Sequence, residues 1–316
     1  MLKYLIIQMS SDSPSFCAYP TTKGEPELMS ENVLKDVISF AFKNDLSLQF
    51  LLPQRKMPTC YEHQFEGIDC VFMAAEASDY AKDADIVIFS SVNALSETTL
   101  TNEVAILSLY PQDITHLALL TDDVLRRFKR LNIVIREFKE ISQSSIVKDY
   151  GKALTSLAET YLTHLANGGS SQINVLSDRI FASSHLNCNA GIEHLTVSPD
   201  GRLYICPGFY VDNPSSSIGD IWSGYTIINK YLLDYDHAPI CRNCDAFQCR
   251  RCVWLNMNMT GELNTPSKEQ CMVAHIERNC SRGLLYKLRE YDCGFMPDKE
   301  IYEIDYLDPL VLITGK

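Results

Sequence analysis

The sequence predicts an α/β protein whose first part is a partial (β/α) barrel or an open, mostly parallel sheet, followed by a small cysteine-rich α+β domain. Two observations carry this. Through residue 170, short apolar runs of strand type alternate with helical patterns, and such alternation yields parallel strands joined by crossover helices. Beyond that point the composition changes, with nine of the twelve cysteines in the last 129 residues. The stretch Asn167-Gly168-Gly169-Ser170-Ser171 is a flexible break, so the expected domains are residues 1–170 and 171–316.

Lys3–Gln8 is a first strand. Ser30 precedes a helix that carries Val33, Leu34, Val37, Ile38 and Ala41 on one face. Leu46–Leu52, Ile68–Met73, Asp85–Ser90 and Val104–Leu109 are the next strands. Asp122 or Asp123 is expected to cap a short helix with Val124, Leu125 and Phe128. Leu131–Phe138 returns as a strand, and a long amphipathic helix follows through Leu154, Leu157, Ala158, Tyr161 and Leu165. In the second part, Leu195–Val197 and Leu203–Ile205 flank the turn Ser198-Pro199-Asp200-Gly201 as a β-hairpin. It brings Cys188 and Cys206 towards the same end. Ile218–Trp222 leads into a helical stretch through Leu233, and Thr265 with Pro266 opens a helix that carries Cys271.

A hydrophobic content of 46% and a charged content of 22% are those of a globular chain. The sequence holds no long apolar run that would span a membrane. Leu2–Met9 is followed by Ser10, Ser11 and Asp12 and lacks the pattern of a signal peptide, so the expected location is the reducing cytoplasm, where thiols at short spacings are metal ligands more often than disulfides. A net charge of −12 argues against a nucleic-acid partner. No G-x-G-x-x-G and no G-x-x-x-x-G-K-S/T occurs, so nucleotide phosphate sites have no support.

Cys241-x2-Cys244-x4-Cys249-x2-Cys252 presents four thiols in twelve residues. A zinc site of two C-x2-C knuckles usually separates its pairs more widely. Four residues are a short span for closing both pairs onto one ion, and sharing them between two centres with Cys188, Cys206 and Cys271 is easier. A cubane cluster takes four thiolates from separated segments. Structural zinc and buried structural thiols are the plainer alternatives. Cys60, Cys70, Cys280 and Cys293 fit no spacing and read as ordinary thiols. Arg242, Arg250 and Arg251 are compatible either with offsetting thiolate charge or with solvated loop positions.

Cys188-x12-Gly201-x4-Cys206, the cluster of four, and Cys271 together resemble a SPASM domain, the auxiliary-cluster module of many radical SAM peptide-modifying enzymes. Two intervals in the cluster of four are one residue shorter than the family pattern. The resemblance implies one [4Fe–4S] cluster on Cys241, Cys244, Cys249 and Cys271, and a second on Cys188, Cys206 and Cys252. Its fourth ligand is open. His194 occupies the position where some relatives have a cysteine, and it is either a ligand or a plain hairpin histidine.

In radical SAM enzymes a C-x3-C-x2-C loop follows the first strand. Here the loop reads Ser13-Pro14-Ser15-Phe16-Cys17-Ala18-Tyr19-Pro20, with Ser13, Cys17 and Pro20 at the ligand positions. One thiolate does not hold a SAM-binding cluster, so no SAM and no autonomous radical chemistry is expected. Cys17 reads as a relic or a core thiol sooner than as a reactive group. A degenerate radical SAM-like first part joined to a SPASM-like second part resembles the CXXX repeat peptide maturase family. That resemblance implies an accessory protein carrying one or two clusters. Its partners would be a precursor peptide with repeated cysteines and a separate radical SAM maturase. The alternative is a non-enzymatic peptide- or partner-binding module folded around zinc.

Overall fold

Parallel pairing begins at the first strand. In the computed structural model, which describes residues 1–21, 25–142, 144–185, 188–246, 248–291 and 297–304, the elements follow in chain order. They are β1 (Tyr4–Gln8), α1 (Glu31–Lys43), β2 (Ser47–Leu51), α2 (Glu62–Phe65), β3 (Cys70–Ala75), β4 (Ile86–Phe89), α3 (Val92–Glu97), β5 (Val104–Leu109), α4 (Asp122–Arg126), β6 (Arg130–Ile135), α5 (Ser144–Ala166), β7 (Gln172–Ile173) and α6 (Asp178–Phe181). There follow β8 (His194–Val197), β9 (Arg202–Tyr204), α7 (Pro207–Asp212), β10 (Gly219–Asp220), β11 (Gly224–Tyr225), α8 (Val253–Thr260) and α9 (Lys268–Glu290).

Among the described residues the strands form one sheet in the order β11-β10-β9-β8-β1-β2-β3-β4-β5-β6-β7. From β8 to β7 every neighbouring pair is parallel, and β8 to β11 extend the edge as antiparallel strands. The expected mostly parallel sheet is the fold found. The sequence does not announce that β8 pairs with β1 in the register Tyr4↔His194 and Ile7↔Val197. Cys293 lies outside the described residues.

Strand alternation sorts the two faces. Leu5, Ile7, Leu48, Phe50, Val87, Phe89, Leu107, Leu131 and Ile133 join the large core under α1, α3 and α5. Each fully buried Leu or Phe there is worth about 1.5–3 kcal/mol relative to exposure. α1 starts where the pattern places it, because the Ser30 side chain accepts a hydrogen bond from the Val33 amide. The opposite face carries a smaller cluster of Ile6, Leu51, Met73, Ile88 and Ile106, against which Tyr4 and Phe16 pack.

Arg136, just past β6, shows that this second face curls. In a flat sheet β1 and β6 would stand about five strand spacings, roughly 24 Å, apart. Yet the Arg136 guanidinium, 5% exposed, donates to Ser15 Oγ at 2.7 Å, to the Tyr19 carbonyl at 2.9 Å and to Ser108 Oγ at 2.7 Å. The loop after β1 is therefore folded onto the concave face and fastened to its far side.

Three local expectations change. Neither Asp122 nor Asp123 caps α4: Thr121 stands at the cap, and Asp122 bonds Arg126 and His164. The stretch after Trp222 is not a helix but β11 and a short 3-10 turn at Lys230–Leu233, because Gly219 and Gly224 let the backbone close a hairpin. The last long helix starts at Lys268, where Ser267 and Gln270 form a reciprocal capping box that outcompetes Thr265.

Candidate metal centre

The concave face opens into a cavity of about 380 Å³. Its walls are inner-face residues such as Tyr4, Ile6, Asn132 and Val134, together with eight cysteines: 17, 188, 206, 241, 244, 249, 252 and 271. All seven ligand candidates named from the sequence line one space. The eighth, Cys17, is half-buried, packs against a buried apolar cluster and also lines the cavity. Cys60 is exposed, and Cys70 and Cys280 sit at the edge of the large core.

The thiols fall into two groups. Burial pushes Cys17 well up, and the Cys188 and Cys252 thiols beside it add to the shift. Cys206 is likewise raised by burial, then by Cys252 and Cys188, and Cys252 reaches about 12 through burial and Cys188. In the second group burial and the neighbours Cys271 and Cys244 raise Cys241 to about 11, with Arg251 opposing them. Cys249 is raised to about 12 by burial, Glu277, Cys241 and Cys244, while Arg179 opposes. Burial and Cys244 raise Cys271. Thiols that raise each other's pKa hold a set of negative charges only when a cation compensates them, which is the donor chemistry a thiolate-ligated metal requires.

Local structure prepares the first group. Cys252 is the N-cap of α8 and its sulfur accepts the Leu255 amide at 3.4 Å. Cys206 precedes α7, where the Gly208 and Phe209 amides favour its thiolate, and the Ala190 amide does the same for Cys188. Helix N-termini and unpaired amides stabilise thiolates. Cys188 is exposed, but its open surface faces the cavity, where crowded protein atoms replace much of bulk water and raise the thiol.

The second group rests on a loop and on α9. A turn closes Cys241 to Cys244 through the Cys244 amide and Cys241 carbonyl at 3.0 Å, and the Ala246 amide reaches Cys244 Sγ at 3.4 Å. Gln248 adopts φ 61°, the left-handed region, as the chain turns back to present Cys249. Cys271 is the fourth residue of α9. One turn later His275 Nε2 lies 3.6 Å from Cys244 Sγ and 3.8 Å from Asp245 Oδ1. The sulfur, carboxylate and imidazole atoms all fall within 4.8 Å of one another. Sequence reasoning passed over His275, although the Cys271-x3-His275 spacing on one helix face was the available signal.

Arginines surround both groups. Arg250 and Arg251 oppose the rise of the Cys188 thiol, and Arg251 is buried with its guanidinium on the Leu233 carbonyl. Arg242 is exposed. Arg179 and Arg136, which the sequence did not single out, are buried behind the cavity wall and oppose the rise of the Cys249 and Cys17 thiols. His194 also lines the cavity. Its ring stacks on Tyr4 at 4.8 Å, its buried Nδ1 has no hydrogen-bond partner, and burial lowers its pKa to about 4.

Among the described residues no helix is long and apolar enough to cross a membrane. No protein-family model matches the sequence, and no curated protein does. Among solved structures, the chain is similar to Streptococcus suis SuiB, described as bound to the precursor peptide SuiA. The identity is 11%, over 86% of this chain and 76% of that one, with a TM-score of 0.44.

Proposed function

We propose that the protein is an accessory iron–sulfur protein of peptide maturation, with a degenerate radical SAM-like part at residues 1–170 and a SPASM-like cluster domain at 171–316. The observation that carries this reading is the convergence of seven spaced cysteines, with arginines around them, on one cavity beneath a curled sheet face. Cys241, Cys244, Cys249 and Cys271 would hold one [4Fe–4S] cluster, and Cys188, Cys206 and Cys252 would ligate another. Such clusters supply one-electron transfer or, at an open iron, a place for a thiolate. The chain's own residues set the conditions. Backbone amides and arginines hold the thiolates, and the apolar inner face excludes water from one side of the cavity. The cavity mouth offers a cysteine-bearing peptide room beside them.

The partners in this reading are a precursor peptide with cysteine at every fourth residue and a separate radical SAM enzyme. Anaerobic purification and reconstitution, followed by iron, sulfide and zinc analysis, is the first test. Iron and sulfide in equal amounts are expected. Binding of a synthetic peptide with three C-x3-C repeats, lost when its cysteines become serines, is the second. A structural zinc site is the competing reading, favoured by the Cys244–His275 approach at 3.6 Å with Asp245 beside it. Zinc without iron after reconstitution selects it.

A further inference from the structure

We propose that Cys17 is the fourth thiolate of the centre formed by Cys188, Cys206 and Cys252. The inference rests on the reading of that group as a metal centre and identifies the ligand which the cysteine spacing leaves open.

The four cysteines come from four separate segments, and packing brings those segments to one place. The residue two positions after each cysteine shows how: Tyr19, Ala190, Gly208 and Trp254. Tyr19, Ala190 and Trp254 belong to one buried apolar cluster that also contains Cys206, with Cys17 and Cys252 against it. Tyr19 meets Trp254 edge-on at 6.4 Å. Gly208 lies flat against the Trp254 indole, where a Cβ would come within 2.6 Å of the ring. Trp254 is fixed in turn by its Nε1–H donating to Asp212 at 2.7 Å. The packing residue stands two positions after the thiol in all four segments, and all four cysteines line the same cavity.

The loop that carries Cys17 is held there. Ser13 Oγ donates to the Leu51 carbonyl at 2.9 Å and accepts the Ser10 amide at 3.1 Å. Ser15 Oγ donates to the Cys17 carbonyl at 3.1 Å, and Arg136 holds Ser15 and the Tyr19 carbonyl. Of the three positions that would ligate a cluster in an active radical SAM loop, Ser13 is committed to the backbone and Pro20 points to solvent. Cys17 faces the cavity beside the other three thiols.

The chemical consequence is a closed centre. A cubane takes one protein ligand at each of its four irons, and four cysteines leave no iron for a substrate thiolate. Each thiol gives up its proton on binding. The first centre then serves electron transfer, and a peptide thiolate has to bind elsewhere in the cavity. His194, stacked on Tyr4, is left as a wall residue.

Wild type, Cys17→Ala, Cys17→Ser and His194→Ala are reconstituted anaerobically with iron and sulfide, with circular dichroism as the folding control. In wild type both clusters are expected. Cys17→Ala should show an altered electron paramagnetic resonance signal from one cluster and lose iron to a chelator at least about tenfold faster. Added 2-mercaptoethanol should restore the signal in Cys17→Ala and leave wild type unchanged. Cys17→Ser should give an intermediate signal, and His194→Ala the wild-type one. Unchanged spectra and iron release in both Cys17 variants, or a change in His194→Ala alone, overturns the proposal. Uptake of zinc in place of iron refutes the cluster reading but still tests Cys17: one zinc fewer in Cys17→Ala supports it, and an equal count overturns it. Wild type that binds neither metal overturns both.

Discussion

The two thiol groups share a cavity but are built in opposite ways. The second group is more local: three of its cysteines stand within nine residues and the fourth, Cys271, lies in the first turn of α9. Its supports are polar and charged. Asp245 and Arg278, each 2% exposed at the side chain, form a buried ion pair, and Glu303 meets the same guanidinium at 2.8 Å. The first group is assembled across the chain, with Cys17 in the loop after β1 and Cys252 at the N-cap of α8. Its supports are backbone amides and an apolar cluster. A local site forms wherever its loop does, whereas a dispersed site exists only when the whole fold is present. The first group should therefore report on the packing between its segments and the second on its own ion pairs.

The largest effect should come from the second group. Arg278→Met leaves the buried Asp245 carboxylate without its guanidinium, and removing one partner of a buried pair costs about 3–5 kcal/mol. Chemical denaturation of the metal-free protein should show that loss. The Cys17 and Cys252 thiols should keep their wild-type alkylation rates under native conditions. Equal exposure of both groups in this variant would erase the distinction between them.

Arg136→Ala should be next, at about 2–4 kcal/mol, since it leaves the buried Ser15 hydroxyl and Tyr19 carbonyl without a charged donor. Here the expected signature is reversed. Cys17 becomes reactive to alkylation, and metal is lost from the first group while the second keeps its own. Arg136→Lys should recover little, because a single ammonium cannot reproduce the fork that spans Ser15, Tyr19 and Ser108.

The contrast also explains what could be read from the chain. The parallel sheet was legible because each strand is a short apolar run bounded by a helical pattern, as with Tyr4–Gln8 before α1. The second thiol group was legible because its spacing is short. The first was legible only to three thiols: nothing local marks Cys17 as approaching Cys188, because tertiary packing alone brings them together. Arg136 was hidden for the same reason, as a polar residue at a strand end has no sequence signature for the loop it fastens. His275 was legible one helical turn after Cys271 and was missed.

His194 tests whether the cavity wall behaves as apolar. Its pKa of about 4 in the folded protein lies below the ordinary 6.5 because burial disfavours the imidazolium. Between those values the unfolded chain binds a proton that the folded one refuses. This contribution to stability is complete above pH 6.5 and lost as the pH falls towards 4, by up to about 3 kcal/mol. His194→Phe keeps a ring against Tyr4 and removes that proton. Denaturation of the metal-free proteins from pH 7 to 4 should show a shallower loss in the variant. Parallel curves would mean that His194 is solvated or partnered, and that the wall beside the first group is polar like the second.

The smallest expected change bears most directly on how the first group is put together. Gly208→Ala adds one methyl group, which would stand 2.6 Å from the Trp254 ring. Overpacking of this kind costs about 1–3 kcal/mol. The indole cannot simply move away, since its other side meets Tyr19 and its nitrogen holds Asp212. The displacement is therefore shared with the segments that carry Cys17, Cys206 and Cys252. Metal in the first group should bind more weakly or reconstitute more slowly, with the second group unaffected. If Gly208→Ala loses stability and keeps both centres intact, the packing unit and the thiols are independent, and the first group is a local site after all.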